Sequence, residues 1–365
     1  MTLEPQFALA DIRMRIQIEL TNFLAEEIQY LGEIGTELIP VAEAMNAFLL
    51  DGGKRLRPLF AYCGYLAAGG TAAESEGEAI IRAVSSLELL QGCALIHDDL
   101  MDGSDIRRGK PSIHRFFESI HQTEELAGSA TRYGASAGIL LGDLALVWSD
   151  QMLHSSGVTS TALIPALSIF DEMRVELMAG QFLDVHEQAL ASQSVARSLK
   201  IARYKSGKYT VERPLHFGTA LAHPDEEKQR NYMTIFSEFG LPLGEAFQLR
   251  DDLLGVFGDS SVTGKPAGDD LREGKRTVLM AMTQDRASEE QERTISELFG
   301  DPNLSDAGIE ELQMIITNTG ASEHVEELIE KLTLTALDSL NREEIHETAR
   351  ALLNELASNT VRRSM

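Results

Sequence analysis

Glu88–Lys110, ELLQGCALIHDDLMDGSDIRRGK, decides how the rest of this 365-residue chain is read. Leu87, Leu90, Ala94 and Leu95 recur at helical spacing, with only Glu88 and Gln91 polar before His97, so the first half reads as a buried helix. That helix then presents Asp98, Asp99 and Asp102. Positions 98 and 102 are i and i+4, which puts their Cβ atoms roughly 5–6 Å apart on one face. Gly103 and Ser104 end the pattern, and Arg107, Arg108 and Lys110 follow at once. Stacked carboxylates at the end of an apolar helix repel one another unless a cation binds there. Mg²⁺ is the natural cation for oxygen ligands and usually completes its shell with phosphate oxygens. Arginine forks suit phosphate as well. The stretch predicts a metal–diphosphate site at the mouth of an apolar cavity.

The composition sets bounds on that site. With 43% hydrophobic and 24% charged residues, the chain has core enough for one large domain or two average ones. Its 57 acids against 32 Lys and Arg give a formal charge of −25, which argues against nucleic acid or an anionic membrane as a partner. An anionic substrate must therefore meet a local reversal of the field. Cys63 and Cys93 both fall in apolar helical patterns and read as reduced core thiols, as expected in the cytoplasm. The N-terminal stretch carries Pro5, Asp11 and Arg13 where a signal peptide needs an apolar run. No uninterrupted apolar stretch approaches the roughly 18 residues of a membrane span, so no stable membrane insertion is expected.

Outward from the organising helix, which begins near Ala73, helical patterns cover 8–31, 36–50 and 54–68 before it. They resume over 113–120, 135–155, 159–188, 194–222 and 226–257. A loop rich in Gly, Ser, Thr and Pro occupies 258–274, and acidic helical patterns fill 275–358. Helix after helix without strand alternation or a linker predicts one all-α domain over 1–365. Its motif-bearing core lies at about 35–285, with acidic helices at 286–358.

Four further segments bear on phosphate. In Asp51-Gly52-Gly53-Lys54-Arg55-Leu56-Arg57-Pro58, Lys54 and Arg57 are i and i+3 at a helix entrance, where N–H groups and the dipole also favour an anion. A basic helix start on the surface accounts for the same residues. Gln91, one turn before Leu95, is either a ligand to substrate or a satisfied core amide. Arg203-Tyr204-Lys205-Ser206-Gly207-Lys208 is a basic cluster in a helical pattern, for which a solvated face is the better reading from the residues alone. Finally, Phe247-Gln248-Leu249-Arg250-Asp251-Asp252-Leu253-Leu254 is followed by Lys265-Pro266 and by Asp270-Leu271-Arg272-Glu273-Gly274-Lys275. It repeats the logic of the first site: paired carboxylates ending an apolar helix, then a loop carrying lysines.

Together, GGKRLRP at 52–58, DDLMD at 98–102, RRGKP at 107–111 and FQLRDDLLG with GKPAGDDLREGKRT resemble the trans-isoprenyl diphosphate synthases (polyprenyl synthetases). The likeness covers nearly the whole chain and is greatest to bacterial geranylgeranyl diphosphate synthases. It implies the isoprenoid synthase fold, a single helical bundle around a central apolar cavity, and a homodimer. It also implies Mg²⁺-dependent head-to-tail condensation of isopentenyl diphosphate with allylic diphosphates, using three ions. By the same likeness Asp98, Asp102 and Asp251 bind metal, supported by Asp99 and Asp252. Arg107, Lys205, Ser206, Gln248, Lys265 and Lys275 meet the allylic diphosphate. Lys54, Arg57, Gln91 and Arg108 hold isopentenyl diphosphate.

Two positions depart from the family pattern. The second motif ends in Gly255 instead of Asp, which leads to an expectation of a weakened third metal site, and Gln91 stands where many relatives place His. In the basic cluster Lys208 rivals Lys205. A class I terpene cyclase would want an Asn/Asp…Ser/Thr…Glu metal triad that Asp251–Gly255 does not supply. A non-catalytic subunit of a heteromeric synthase would commonly lose the first aspartates, which are kept here. Product length turns on Cys93 and Ala94, five and four residues before Asp98, where members that stop at C15 commonly carry a large aromatic. Both are small, and Leu90 follows one turn deeper, so the expectation is an all-trans C20 product, with C25 or longer, or C15, as the alternatives.

Overall fold

The computed structural model describes residues 5–71, 74–190, 194–223, 225–258 and 268–361. α1 (Pro5–Ile34) buries Leu9, Ile12, Ile16, Leu20, Phe23 and Leu24, which recur every three to four residues and form one stripe. A short 3₁₀ turn at Thr36–Leu38 leads into α2 (Ile39–Leu50), and α3 (Leu56–Ala67) follows the Gly52-Gly53 turn. α4 (Glu74–Asp102) is the organising helix. Leu87, Leu89, Leu90, Cys93 and Ile96 are buried on nearly every side of it, because α1, α3 and α6 (Ala130–His154) surround it. By length and mean apolarity Gly77–Asp102 is a stretch that could cross a membrane, although Arg82 and Glu88 interrupt it; 72% of its apolar window is buried inside the protein. A core helix clad on all sides needs that composition equally.

After α4 the chain makes a two-residue hairpin, β1 (Ile106–Arg107) against β2 (Lys110–Pro111), which the helical patterns did not foretell. Its turn residues Arg108 (φ 53) and Gly109 (φ 74) are both left-handed, the conformation such tight hairpins require. α5 (Ile113–Thr123) packs on α6. α7 (Ser160–Leu190) and α8 (Val195–Ile201) follow, and α9 (Arg213–Ala222) lies against α3 and α7. Between α8 and α9 the expected continuous helix widens into an eleven-residue π-helical segment, Ala202–Glu212. α10 (Glu226–Phe257) is capped by Asp225, whose carboxylate accepts from the Glu227 and Lys228 amides at 2.9 and 3.2 Å.

The helices from 278 onward are α11 (Val278–Arg286), α12 (Glu289–Leu298), α13 (Asp306–Asn318), α14 (Ala321–Ser339) and α15 (Glu347–Val361). α14 packs along α10, and α15 closes back on α1 and α3. Ile316, Val325, Ile329, Leu353 and Leu356 accordingly join the same apolar core as α4.

Candidate active site

Four segments wall a cavity of about 260 Å³, each by its own period. α4 gives Gln91, Ala94, Leu95 and Asp98; α7 gives Leu177, Gln181 and Asp184; α10 gives Phe247, Gln248, Asp251 and Asp252. Steps of three and four keep each set on one face. The π segment gives Lys205, Ser206 and Tyr209, with Ala202 one wide turn earlier, while Arg57 and Lys275–Val278 close the ends. π turns are rare and concentrate at functional sites. This one is fixed by close approach: a Cβ on Gly180 of α7 would lie 2.5 Å from the Lys205 amide nitrogen, and one on Gly244 of α10 would lie 2.5 Å from the Gly207 Cα. Only glycine lets both helices press on the widened backbone.

That packing aims Lys205 inward. Its Nζ donates to Asp98 Oδ1 at 2.9 Å and to Asp184 Oδ2 at 2.6 Å, and Gln181 Nε2 donates to the same Asp98 oxygen at 3.0 Å. Lys208 turns away to Glu176 at 2.6 Å, and Arg203 pairs with Glu245 at 2.7 Å on the surface. The solvated-face reading of this cluster thus holds for Arg203 and fails for Lys205 and Lys208. Arg107 Nε donates to both oxygens of buried Asp99, at 2.9 and 3.1 Å, and its Nη2 stands 3.7 Å from Asp98 Oδ2. Gln248 Nε2 donates to Asp252 Oδ1 at 2.8 Å, and Ser104 Oγ to Glu273 Oε1 at 2.5 Å, which ties the two acidic segments together.

The carboxylates differ in charge state. Burial would raise the Asp98 pKa, but Lys205, Lys275 and Arg107 outweigh it and hold that carboxyl well below its ordinary range. Asp102 is pushed up to about 7 by burial and then by the charge of Asp98. Asp252 is likewise pushed up to about 7, chiefly by burial. Asp102 Oδ1 is buried without a hydrogen-bond partner. An orphaned buried oxygen beside a second carboxylate fits a divalent cation, and the donor set is all oxygen, as Mg²⁺ prefers. Among the described residues no three His, Cys, Asp or Glu side chains converge closely enough to hold an ion by themselves. An ion here must complete its shell with water and substrate oxygens. Since Asp102 holds its proton well above the ordinary 3.8, its ionisation disfavours the metal-free fold as pH rises from about 4 towards 7. Mg²⁺ must displace that proton, so its apparent affinity should rise with pH up to about 7 and then level. Calorimetry with Mg²⁺ and pyrophosphate between about pH 5.5 and 8 measures this, and a flat profile would remove Asp102 from the metal set.

The residues expected for the second diphosphate are divided. Arg57 and Gln91 face the cavity. Arg57 lies over the Tyr209 ring at 4.3 Å from its centroid and donates to Thr210 Oγ1 at 2.8 Å, while Gln91 Oε1 is buried without a partner. Arg108 instead lines a neighbouring, mostly apolar cleft of about 340 Å³ with Phe48, Lys110 and Phe116, donating to the Phe48 and Asp51 carbonyls. Lys54 is exposed on the loop beside it. Lys265 lies outside the described residues. Of the chain-length positions Ala94 lines the cavity, whereas Cys93 and Leu90 are fully buried behind it, with Cys93 Sγ 3.7 Å from His97 Nδ1.

Sequence reasoning passed over Gln181 and Asp184, although two polar residues three apart on an apolar helix are a signal of an inward polar face. It also passed over Arg55, the buried anchor of the GGKR turn, which pairs with Glu88 at 2.7 Å and reaches Gln17 and the Leu49 carbonyl.

Comparison with known proteins gives the family. The sequence profile of polyprenyl synthetase matches residues 40–316. Geranylfarnesyl diphosphate synthase of Aeropyrum pernix is 31% identical over 86% of this chain and 91% of its own length. Geranylgeranyl diphosphate synthase of Sulfolobus acidocaldarius is 29% identical over 82% of this chain and 83% of its own. The crystal structure of a Corynebacterium glutamicum geranylgeranyl pyrophosphate synthase, complexed with isoprenyl diphosphate and magnesium, superposes with a TM-score of 0.93. It is 40% identical and covers 98% of this chain and 99% of that one. The chain belongs to the polyprenyl synthetase family and is a prenyltransferase, of a family that uses Mg²⁺ with isopentenyl and allylic diphosphates.

Proposed function

We propose that this prenyltransferase joins isopentenyl diphosphate head-to-tail to allylic diphosphates and releases the all-trans C20 product, geranylgeranyl diphosphate. Asp98 and Asp102 would hold two Mg²⁺ ions and Asp251 a third, and the ions would supply positive charge against the negative charge that develops on the leaving diphosphate. Lys205, Lys275 and Arg107, already arrayed around Asp98, orient the same diphosphate oxygens. Arg57 and Gln91 hold the diphosphate of the second substrate across the cavity. The C1–O bond of the allylic substrate breaks, leaving a cation that Leu95, Leu177 and Phe247 shield from water. The double bond of isopentenyl diphosphate attacks C1, and a C2 proton passes to the departing pyrophosphate. No side chain need act as nucleophile or base.

The observation that carries the product length is Ala94, a small residue in the cavity wall one turn below Asp98. The shared name of the Sulfolobus and Corynebacterium relatives supports the same length. Purified protein given Mg²⁺, isopentenyl diphosphate and each of the C5, C10 and C15 allylic primers should yield C20 as its main product. Ala94→Phe should shift the product to C15, because the overpacking, about 1–3 kcal/mol, falls on the longer tail. Main wild-type products of C15, or of C25 as the Aeropyrum relative's name would suggest, overturn this length.

A homodimer is part of the same reading. Ile139, Leu140 and Val147 on α6 and Val175 and Phe182 on α7 are exposed apolar side chains on neighbouring parts of the chain, the kind of surface a partner covers. Two buried free cysteines accord with a cytoplasmic setting.

A further inference from the structure

Arg55 and Glu88 form a buried ion pair that no step of the proposed reaction uses. Their side chains are 3% and 8% exposed, and Arg55 Nη1 stands 2.7 Å from Glu88 Oε2. The other guanidinium nitrogens are engaged too. Nε and Nη2 donate to Gln17 Oε1 on α1 at 3.3 and 2.9 Å, and Nη2 also donates to the Leu49 and Leu50 carbonyls at 2.9 and 3.3 Å. Those two carbonyls belong to the last turn of α2, where the chain offers no partner within its own helix. Arg108 takes the Phe48 and Asp51 carbonyls beside them. Arg55 also has a left-handed backbone (φ 52, ψ 36), which a residue other than glycine keeps only where its surroundings fix it. Its carbonyl accepts from the Leu59 amide at 3.1 Å and so starts α3. One side chain therefore ties α1, α2 and α4 to the first turn of α3.

Each end of the pair sits next to a group assigned to the second substrate. Arg57 is two residues after Arg55, in the first turn of α3, and Gln91 is three after Glu88 on α4, where that spacing makes them neighbours. Leu49, whose carbonyl Arg55 holds, sets its side chain against the bare Cα of Gly92, the residue after Gln91. Apolar residues of similar volume would keep such a core about as stable, because desolvating two charges offsets most of their attraction. They could not hold acceptors on three helices with one planar fork. We propose that the Arg55–Glu88 pair is the positioning clamp of the isopentenyl diphosphate subsite, fixing the entrance of α3 against α4 so that Arg57 and Gln91 face one diphosphate. The inference rests on the assignment of Arg57 and Gln91 given above. Both members of the pair act through those two residues, so their loss shows in the binding of one substrate and not in the chemical step.

The full-length protein with Mg²⁺ is assayed for kcat and for the KM of isopentenyl diphosphate and of the C15 primer, with thermal melting in parallel. Arg57→Ala is the reference and should raise the KM of isopentenyl diphosphate with little effect on that of the primer. The double variant Arg55→Met with Glu88→Met removes both charges together and should melt close to the wild type. It should nonetheless raise the KM of isopentenyl diphosphate about tenfold, the size of one weakened charge-assisted hydrogen bond, with kcat and the primer KM within about twofold. Arg55→Lys keeps a charge facing Glu88 but loses the fork, and should raise the same KM about threefold. A well-folded double variant with wild-type KM for isopentenyl diphosphate overturns the clamp, as does an equal rise for both substrates. Should the double variant melt early, Arg55→Lys decides, and an unchanged isopentenyl diphosphate KM there overturns the assignment. If Arg57→Ala itself leaves that KM unchanged, the reading of the second subsite fails and this inference with it.

Discussion

Asp98→Asn is expected to lower kcat by about 10²–10³ while the protein still folds. Asp98 is the junction of the site, since Lys205 and Gln181 both donate to its Oδ1. The amide oxygen of Asn can accept the same two bonds, so the local packing survives. The anionic charge does not, and with it goes the ligand that stays ionised where Asp102 and Asp252 are pushed up to about 7. Asp252→Asn should cost less, because a carboxyl already half protonated near neutral pH resembles an amide. Steady-state turnover at saturating Mg²⁺ measures both variants. Wild-type-like kcat in Asp98→Asn would show that this carboxylate does not hold the ion.

Lys205→Met should have the second large effect, and it should be visible without substrate. In the metal-free protein the Lys205 ammonium neutralises Asp98 and Asp184 at once, at 2.9 and 2.6 Å. Its side chain is 16% exposed, Asp98's 19% and Asp184's 5%. Removing one partner of a buried pair commonly destabilises by about 3–5 kcal/mol; with Asp98 partly exposed, we expect the low end, about 3 kcal/mol. The same carboxylates would then rely on an added cation. Mg²⁺ should therefore raise the melting temperature of Lys205→Met by more than it raises that of the wild type. Turnover should fall as well, through the lost contact to the allylic diphosphate. Thermal melting with and without Mg²⁺ is the measurement, and equal metal-free melting of variant and wild type would mean that Lys205 is not the internal counter-ion.

The sequence by itself determined the all-α class, the central place of 88–102 and the shared helix face of Asp98 and Asp102. All of these follow from local periodicity: residues three and four apart share a face, and an apolar helix ending in stacked acids can be read without knowing its neighbours. The inward direction of Arg57, Gln91, Asp251 and Ala94 was legible only through the resemblance to the family, since spacing alone left a surface or core reading open. The tertiary structure decided the rest. Lys205 and Lys208 could not be told apart by helical spacing, because the π widening that separates them is imposed from outside, where Gly180 and Gly244 bring α7 and α10 onto its backbone. Gln181 and Asp184 became site residues only when α7 was laid across the end of α4. Arg108 was carried into a separate cleft by the left-handed hairpin turn that it forms with Gly109. Gly255 read as a missing carboxylate along one helix, yet the seat beside it belongs to Asp270, fifteen residues on. Periodicity is a property of one segment, whereas close approach between backbones depends on two, and a single helical pattern carries no record of its partner.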